Sequence, residues 1–389
     1  MRRLLRLAVI SGLVTSLAMG MASCGGTSSG SPYKVGAIFA VTGANSPLGT
    51  PEKQTVEMMV EQINAKGGIS GHPLQVIVYD NKSDATEAVT LAKKLIEQDG
   101  VLAIIGPSGS TDSVAIVDTV MKAETPLITC AASDAITKPV SDRKWVFSTP
   151  QLSSLAVDRI IDYLTKTTIK KVAILADSNA FGSQGRDALL AALPKVGITV
   201  SADEKYNTND TDMTAQLTKI KGTDAQAVIC WGTNPGPALI AKNMQQLSMT
   251  LPLINSHGIA NLSFITLAGD AANGVIFPAG KLLVADQLDD SDPQKTLLLQ
   301  YKKDFEAKNG AGTANTFGGH AYDALSIVVK ALTSVGADKA KIRDYLETNI
   351  KNFVGTGGVF NMSATDHNGL VKDAFVMIKI SGGKWTWLK

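Results

Sequence analysis

The amino-acid sequence predicts an α/β protein of two lobes, each built on a parallel sheet that helices cover on both faces. Three observations predict it. Short apolar strands alternate with helical segments along most of the 389 residues, the alternation starts a second time after residues 145–150, and further helical segments follow near the end. Alternation of this kind is typical of right-handed βαβ units. The length suits two domains.

The first half starts with a predicted strand at residues 34–40 and a loop rich in Gly, Asn and Pro at residues 42–51. The next apolar residues have the i, i+3, i+4, i+7 spacing of one helix face: Val56, Met59, Val60 and Ile63. Further strands are predicted at residues 74–80, 101–105 and 126–129, and helices follow the first two of these.

The second half repeats this pattern. Strands are predicted at residues 171–176, 199–202, 225–231 and 251–254, and late helices at residues 293–309, 320–335 and 341–349. Because helices return after the second set of strands, we expect the chain to cross between the lobes near residues 148, 279 and 355. The first lobe would then comprise residues 34–148 and 280–354, and the second lobe residues 149–279 and 355–389.

The N-terminal segment predicts export from the cytoplasm. Three arginines precede an apolar run at residues 7–21 that is short and interrupted for a membrane span. The sequence Met21-Ala22-Ser23-Cys24 resembles the lipobox of bacterial lipoproteins, so we interpret residues 1–23 as a signal peptide and Cys24 as the lipidated residue. Residues 24–33 would form a flexible tether in the periplasm or on the outer face of the cytoplasmic membrane. The alternative is an ordinary secretory leader with a chance Cys.

Composition disfavours several other classes of protein. Lys and Arg total 37 against 35 Asp and Glu, so there is no basic excess for binding nucleic acid. The sequence contains no phosphate-binding loop and no zinc-protease pair, and its four histidines are far apart. We therefore expect no enzyme, no metal site and no cofactor. Cys130 and Cys230 should stay unpaired, because they belong to different predicted lobes.

The predicted ligand site lies in the loops that follow the strands. Ligands bind beyond the carboxyl ends of parallel strands, and two such sheets can face each other across a cleft. The loops in question are rich in Gly, Ser, Thr and Asn and comprise residues 42–49, 106–111, 130–134, 177–182, 231–237 and 255–261. This composition suits a small polar ligand, although it is also common in ordinary loops.

Several motifs together resemble the leucine/isoleucine/valine-binding protein family, the type 1 periplasmic binding proteins of branched-chain amino acid ABC transporters. The most specific is the run INAKGGISG at residues 63–71. The others, in order, are VTGA at 41–44, IGP at 105–107, FG at 181–182, AYDA at 321–324 and GGVF at 357–360. The resemblance extends from about Lys34 to Leu388. It depends on all of these motifs occurring together in this order.

This resemblance implies a fold, a mechanism and site residues. The family has two Rossmann-like lobes joined by three crossovers, and it traps a ligand by hinge closure for delivery to a membrane permease. The protein would then act as a monomer with ABC permease subunits as partners. The ligand carboxylate would be held by Ser110, by Ser133 and by the backbone of Ala131. Both serines could instead be plain helix caps.

Departures from the family pattern bear on the ligand. Where amino-acid binders carry an acidic residue for the ammonium group, this chain has His257, and a neutral imidazole cannot replace a carboxylate there. Phe181 stands where those binders commonly have Tyr. Trp231 and Leu48 would add aromatic and apolar surface, although Trp231 could instead belong to the core of its lobe, and His257 could be a loop residue with a local backbone partner.

We therefore expect a solute-binding protein for a branched-chain amino acid or for an apolar or aromatic carboxylic acid. An unpaired buried ammonium would be costly, which weighs against an amino acid. Asp177 or Asp134 could supply the missing charge, which keeps that alternative open. A lipid-anchored receptor of the same fold, not coupled to transport, is the alternative function.

Overall fold

The computed structural model describes residues 30–389 of the chain. The predicted signal peptide, Cys24 and most of the tether therefore lie outside the described residues. Among the helices of residues 30–389, none is both long enough and apolar enough to cross a membrane.

The first lobe contains a five-stranded sheet in which every pair is parallel. Its order is β2-β1-β3-β4-β5. The elements are β1 (Tyr33–Phe39), α1 (Ser46–Ala65), β2 (Leu74–Asp80), α2 (Ala85–Lys94), β3 (Ile104–Ile105), α3 (Ser110–Lys122), β4 (Leu127–Thr129), α4 (Asp134–Thr137) and β5 (Val146–Ser148). The predicted strands 34–40 and 74–80 are confirmed, whereas the strand predicted at 101–105 shortens to its last two residues.

The second lobe follows with α5 (Ser153–Leu164), β6 (Lys171–Asp177), α6 (Ala180–Ala192), β7 (Thr199–Tyr206), α7 (Thr214–Lys221), β8 (Ala227–Trp231), α8 (Gly236–Gln246), β9 (Leu253–Asn255), α9 (Leu262–Ala268) and β10 (Ile276–Gly280). The chain then forms α10 (Lys295–Asn309), α11 (Thr316–Val335), α12 (Lys339–Asn349), β11 (Phe353–Val354), β12 (Val359–Phe360), β13 (Phe375–Ser381) and β14 (Lys384–Trp387). The second sheet has the order β14-β13-β10-β9-β8-β6-β7.

The second sheet is parallel over β10, β9, β8, β6 and β7, as predicted, and two antiparallel strands extend it beyond β10. β13 runs antiparallel to β10, and β14 runs antiparallel to β13. The hairpin between β13 and β14 turns at Gly382 and Gly383, which both have positive φ, as a two-residue hairpin loop requires. No strand is predicted for β10, β13 or β14, because the predicted strands depend on the strand–helix alternation of βαβ units.

Both sheets are buried on both faces. In β1, Ile38 packs into a cluster with α2 and α3, whereas Ala37 and Phe39 pack into a cluster with α1 and α11. In β6, Ile174 packs with α5 and α6, whereas Leu175 packs with α7 and α8. Neighbouring residues of a strand point to opposite faces. Helices on both faces are what a parallel sheet needs.

Two helices begin earlier than the sequence predicts, and both shifts concern the cleft. α1 starts at Ser46, inside the predicted loop 42–51, with Pro47 in its first turn, where proline costs no hydrogen bond. α11 starts at Thr316 instead of residue 320, because the side chain of Asn315 accepts hydrogen bonds from the backbone N–H groups of Phe317 and Gly318. His320 consequently lies in the second turn of α11.

Several chain segments meet where the lobes join. The carboxylate of Asp323 on α11 accepts hydrogen bonds from the N–H groups of Thr356 and Gly357, at 2.6 and 2.7 Å. The side chain of Gln151 donates to the carbonyl of Gly357 at 2.6 Å.

The predicted crossings between the lobes near residues 148, 279 and 355 stay a prediction. Phe360, Met362 and Leu370 pack in the first lobe's core, which favours a later third crossing.

Cys130 and Cys230 are both buried and free. Cys130 follows β4 in the first sheet and Cys230 lies in β8 of the second sheet. The two cysteines therefore belong to different sheets, as predicted.

Candidate functional site

A cavity lies between the two lobes, at the carboxyl ends of their strands. It encloses about 510 Å³ of empty space, including the part that is open to solvent. Its lining comprises Asn45, Leu48, residues 108–111, residues 130–132, Pro150, Asn179, Phe181, Thr233, His257, Gly258, Phe317 and His320. Of the predicted site residues, the cavity brings together Leu48, Ser110, Ala131, Phe181 and His257.

Hydrogen bonds that join the lobes surround this cavity. The side-chain amide of Asn261 donates to the carbonyl of Pro47 at 2.7 Å. The N–H of Ala180 donates to the hydroxyl of Thr111 at 3.2 Å. Weaker contacts join Gln184 to Asp134, Thr316 to Ala260 and Thr233 to Asn45, at 3.3, 3.4 and 3.5 Å. The lobes are therefore in contact across the mouth of the cleft, as in a closed binding protein.

Ser110 and Ser133 lie together on the first-lobe wall. The hydroxyl of Ser110 accepts a hydrogen bond from the N–H of Ser133 at 3.3 Å. Neither serine caps its helix: Ser110 is the first residue of α3, and Ser133 precedes α4 without a capping bond to it. The hydroxyl of Ser133 is buried and has no hydrogen-bond partner among residues 30–389. Ser133 does not line the cavity itself but lies directly behind Ser110.

Ala131 and Leu48 form apolar parts of the same wall. The backbone N–H of Ala131 is occupied by the hydroxyl of Thr129 at 3.1 Å. Leu48 lies in the first turn of α1 and is buried. Its place in the cavity depends on the early start of this helix.

Trp231 is in the core of the second lobe and does not line the cavity, which corrects the prediction of a direct ligand contact. It is fully buried. Its indole lies against Gly185 of α6, where a Cβ atom would come within 2.1 Å of the ring. Trp231 supports the cavity indirectly, because its ring centroid is 5.9 Å from that of Phe181, which does line the cavity.

His257 is held among aromatic rings on the second-lobe wall. Edge-on contacts place its ring centroid 5.2 Å from Phe181, 6.0 Å from Trp231 and 5.3 Å from Phe375. Burial lowers the pKa of His257 to about 3, against a smaller opposing effect of the Asp134 carboxylate. Both of its ring nitrogens lack hydrogen-bond partners in the described part of the chain. The alternative of a local backbone partner is therefore not what the structure shows.

His320 is a cavity residue that sequence reasoning missed. It projects from the second turn of α11 and is buried beside Phe317. Burial and, to a lesser extent, the neighbouring His257 lower its pKa to about 3. The Asn315 cap is the signal that could have found it, since that cap moves the start of α11 and brings His320 to the cleft.

A buried carboxyl group, also missed, lies behind the first-lobe wall. Glu52 of α1 is fully buried and accepts a hydrogen bond from the hydroxyl of Ser108, which lines the cavity. The hydroxyl of Ser108 in turn accepts from the N–H of Ala40 at 3.0 Å. Burial raises the pKa of Glu52 well above its ordinary value, and the bond from Ser108 only partly opposes this.

The cavity carries no formal charge at neutral pH. Within the described chain its lining contains no Asp, Glu, Lys or Arg. Asp134 is engaged elsewhere, with Lys138 and Ser154, each at 2.7 Å. Asp177 accepts from Thr208 at 2.8 Å and from the N–H of Asn179 at 3.1 Å. The described residues hold no group of three or more His, Cys, Asp or Glu suited to a metal ion.

Comparisons with known proteins agree with this architecture. The family model for periplasmic binding proteins matches residues 32–384. The leucine-, isoleucine-, valine-, threonine- and alanine-binding protein of Pseudomonas aeruginosa is 26% identical over 318 residues, 81% of this chain and 82% of the relative. The Leu/Ile/Val-binding protein of Escherichia coli is also 26% identical, over 317 residues, 81% of this chain and 83% of the relative.

Solved structures share the fold over most of the chain. An extracellular ligand-binding receptor from Rhodopseudomonas palustris superposes with a TM-score of 0.86 at 27% identity, covering 92% of this chain and 99% of the receptor. A branched-chain amino acid transporter substrate binding protein from Streptococcus pneumoniae, solved with isoleucine, gives a TM-score of 0.80 at 26% identity, over 91% of this chain and 97% of that protein.

Proposed function

Because the chain belongs to the periplasmic binding protein family, we propose that it is the extracytoplasmic solute-binding protein of an ABC importer. It captures a small carboxylate ligand between its lobes by hinge closure and delivers the ligand to a membrane permease. The observation that carries this proposal is the uncharged cavity between the lobes, with Ser110 in its lining and Ser133 hydrogen-bonded behind Ser110.

The first-lobe wall suits a carboxylate. The 13-residue helix α3 begins at Ser110, and the N-terminus of a helix presents unpaired N–H groups and a partial positive charge. The hydroxyl of Ser110 lines the cavity and offers a further donor, with Ser133 hydrogen-bonded behind it. Such groups bind a carboxylate without a full counter-charge.

The ligand body is a branched-chain aliphatic or an aromatic group. Leu48 and Phe181 supply apolar surface from opposite lobes. The named relatives bind leucine, isoleucine and valine, which supports a branched-chain amino acid. The absence of any Asp or Glu from the lining formed by residues 30–389 supports a carboxylic acid without an ammonium group. Both belong to the proposal, and the experiment below separates them.

Lipidation of Cys24 would hold this monomeric protein in the periplasm or on the outer face of the cytoplasmic membrane. A second candidate function is that of a lipid-anchored receptor not coupled to transport. One observation favours it: a structural relative with a TM-score of 0.86 is named an extracellular ligand-binding receptor. Loss of uptake on deleting the gene, measured with the labelled ligand, separates transport from sensing.

A thermal-shift screen tests the proposed binding. The purified protein is incubated with amino acids and with aliphatic and aromatic carboxylates, and a ligand that binds the folded state raises the melting temperature. We expect at least one small carboxylate to stabilise the protein. This stabilisation should be lost in Ser110→Ala and kept in Ser334→Ala, a control at an exposed serine of α11. No stabilisation by any small carboxylate would contradict the proposal.

A further inference from the structure

We infer that His257 and His320 form a second polar subsite in the cavity, which takes an uncharged ligand group that both donates and accepts a hydrogen bond, such as a hydroxyl or a carboxamide. The inference rests on the proposed function, and it names a part of the ligand that the first-lobe serines do not bind.

The two histidines reach the cavity from different lobes. His257 follows β9 of the second lobe, in a loop held by Ser256, whose hydroxyl donates to the carbonyl of Gly232 at 3.0 Å. His320 belongs to α11, which packs on α1 in the first lobe. Both line the same cavity. A ligand group between them would therefore touch both lobes, and such a group favours the closed state.

Three of the four ring nitrogens of His257 and His320 have no hydrogen-bond partner within the described chain. Nδ1 and Nε2 of His257 and Nδ1 of His320 are buried and make no hydrogen bond to any residue from 30 to 389. Buried polar atoms are nearly always hydrogen-bonded, and an isolated one is costly. Phe181, Trp231 and Phe375 surround His257 with aromatic rings. Because these rings surround His257 with apolar surface, we expect a polar partner for its nitrogens to come from the cavity.

Both rings are neutral at physiological pH. Burial holds the pKa of each at about 3. The acidic groups nearby do not reverse this, since Asp134 is paired with Lys138 and the pKa of Glu52 is raised by its own burial. The pKa of the Cys130 thiol is also raised well above its ordinary value by burial. A neutral imidazole has one N–H donor and one acceptor nitrogen.

The chemistry of neutral imidazoles selects the ligand group. An ammonium group only donates hydrogen bonds, and it would meet no carboxylate in the lining. A second carboxylate only accepts, which leaves the acceptor nitrogens unpaired. A hydroxyl or a carboxamide does both, so it can donate to one histidine and accept from the other. Sites with buried polar partners strongly reject analogues that lack the matching group.

Matched sets of acids test the subsite by titration calorimetry on the purified protein. The aliphatic set is 2-hydroxy-4-methylpentanoate, leucine and 4-methylpentanoate, and the aromatic set is phenyllactate, phenylalanine and 3-phenylpropanoate. Carboxamide analogues such as succinamate and adipamate form a third arm, against butanoate and hexanoate. We expect the hydroxy or amide acid in at least one set to bind about tenfold or more tightly than its counterparts.

Variants assign the preference to the histidines. His257→Phe and His320→Phe should each reduce that preference to less than about threefold, whereas His72→Phe, a control at a histidine outside the cavity, should leave it unchanged. If the amino acid or the unsubstituted acid binds best in every set, the inference is wrong and the proposed function stands. If no member of any set binds, both the inference and the proposed function are wrong. If a variant fails to fold, the affinities of the wild-type protein for the matched ligands decide whether the inference holds.

Discussion

The two walls of the cavity differ in how they are built. The polar part of the first-lobe wall is formed by Ser110 and the start of α3, with Ser133 behind it, and these small donors are held by backbone geometry. The second-lobe wall consists of Phe181 and His257, which are large rings held by packing against Trp231 and Phe375. Backbone and hydroxyl donors suit any carboxylate, whereas packed rings select a shape. We therefore expect the donors at the start of α3 to bind the carboxylate, and the rings around the cavity to discriminate between ligands.

The largest expected effect tests whether the second-lobe wall depends on packing. Trp231→Ala removes a fully buried indole from the core behind Phe181, and it should lower the free energy of unfolding by roughly 3–5 kcal/mol. Urea denaturation measures it. Trp385→Ala is the matched control, since this ring lies in the partly exposed edge strand β14 and should cost less. Equal losses in the two variants would show that Trp231 is not a core residue.

The second prediction tests the first-lobe wall. The double variant Ser110→Ala/Ser133→Ala removes two hydroxyl groups near the start of α3, and it should weaken every carboxylate ligand by ~3 kcal/mol, or roughly 100-fold. The ranking of ligands should stay the same, because the second-lobe wall is intact. Titration calorimetry measures both. A changed ranking at constant affinity would reverse the roles that we assign to the two walls.

The third prediction concerns the junction that both walls share. Burial raises the pKa of Asp323 to about 7, above its value of about 3.9 in an unfolded chain. Between these pH values the folded state keeps a proton that the unfolded state has released. The contribution of Asp323 to the free energy of unfolding therefore falls as pH rises from 4 to 7, and it is constant above 7.

Urea denaturation of the wild type and of Asp323→Asn at several pH values checks this. The stability of the wild type relative to the variant should decrease by about 3 kcal/mol between pH 4.5 and pH 7.5. Asp338→Asn serves as control, because this carboxylate is a partly exposed helix cap. A difference between wild type and Asp323→Asn that does not change with pH would contradict the assignment.

The smallest expected effect concerns ligand preference. His257→Glu places a carboxylate on the second-lobe wall, where an ammonium group would meet it, and should shift the preference toward amino acids by about tenfold. His257→Gln is the neutral control and should not produce this shift. Competition between leucine and 4-methylpentanoate measures the ratio of affinities. An unchanged ratio in His257→Glu would mean that His257 does not face the ligand.

Local patterns predicted most of the fold. The alternation of strands and helices identified β1, β2, β6 and β8 within a few residues, because apolar runs bounded by loops depend on local sequence. β13 and β14 were not predicted, since their antiparallel pairing depends on where the chain returns after α12. The loops after the strands correctly indicated where the cavity lies.

The cavity could be predicted only in part. Leu48, Ser110, Ala131, Phe181 and His257 line it as predicted. Trp231 does not, because the last residue of a strand can point into the core as readily as into the cleft, and Gly185 leaves space for its ring in the core. His320 was missed, because the Asn315 cap decides whether it begins the helix, as predicted, or lies in the second turn.

The most direct test of the central claim is a titration with a matched pair of ligands. The carboxylate that stabilises the protein most in the thermal-shift screen is compared with its own primary amide, which has nearly the same shape and no charge. We predict that the amide binds roughly 100-fold more weakly than the carboxylate, and that this difference largely disappears in Ser110→Ala/Ser133→Ala. Equal affinity of the wild type for the acid and the amide would contradict capture of a carboxylate at the first-lobe wall.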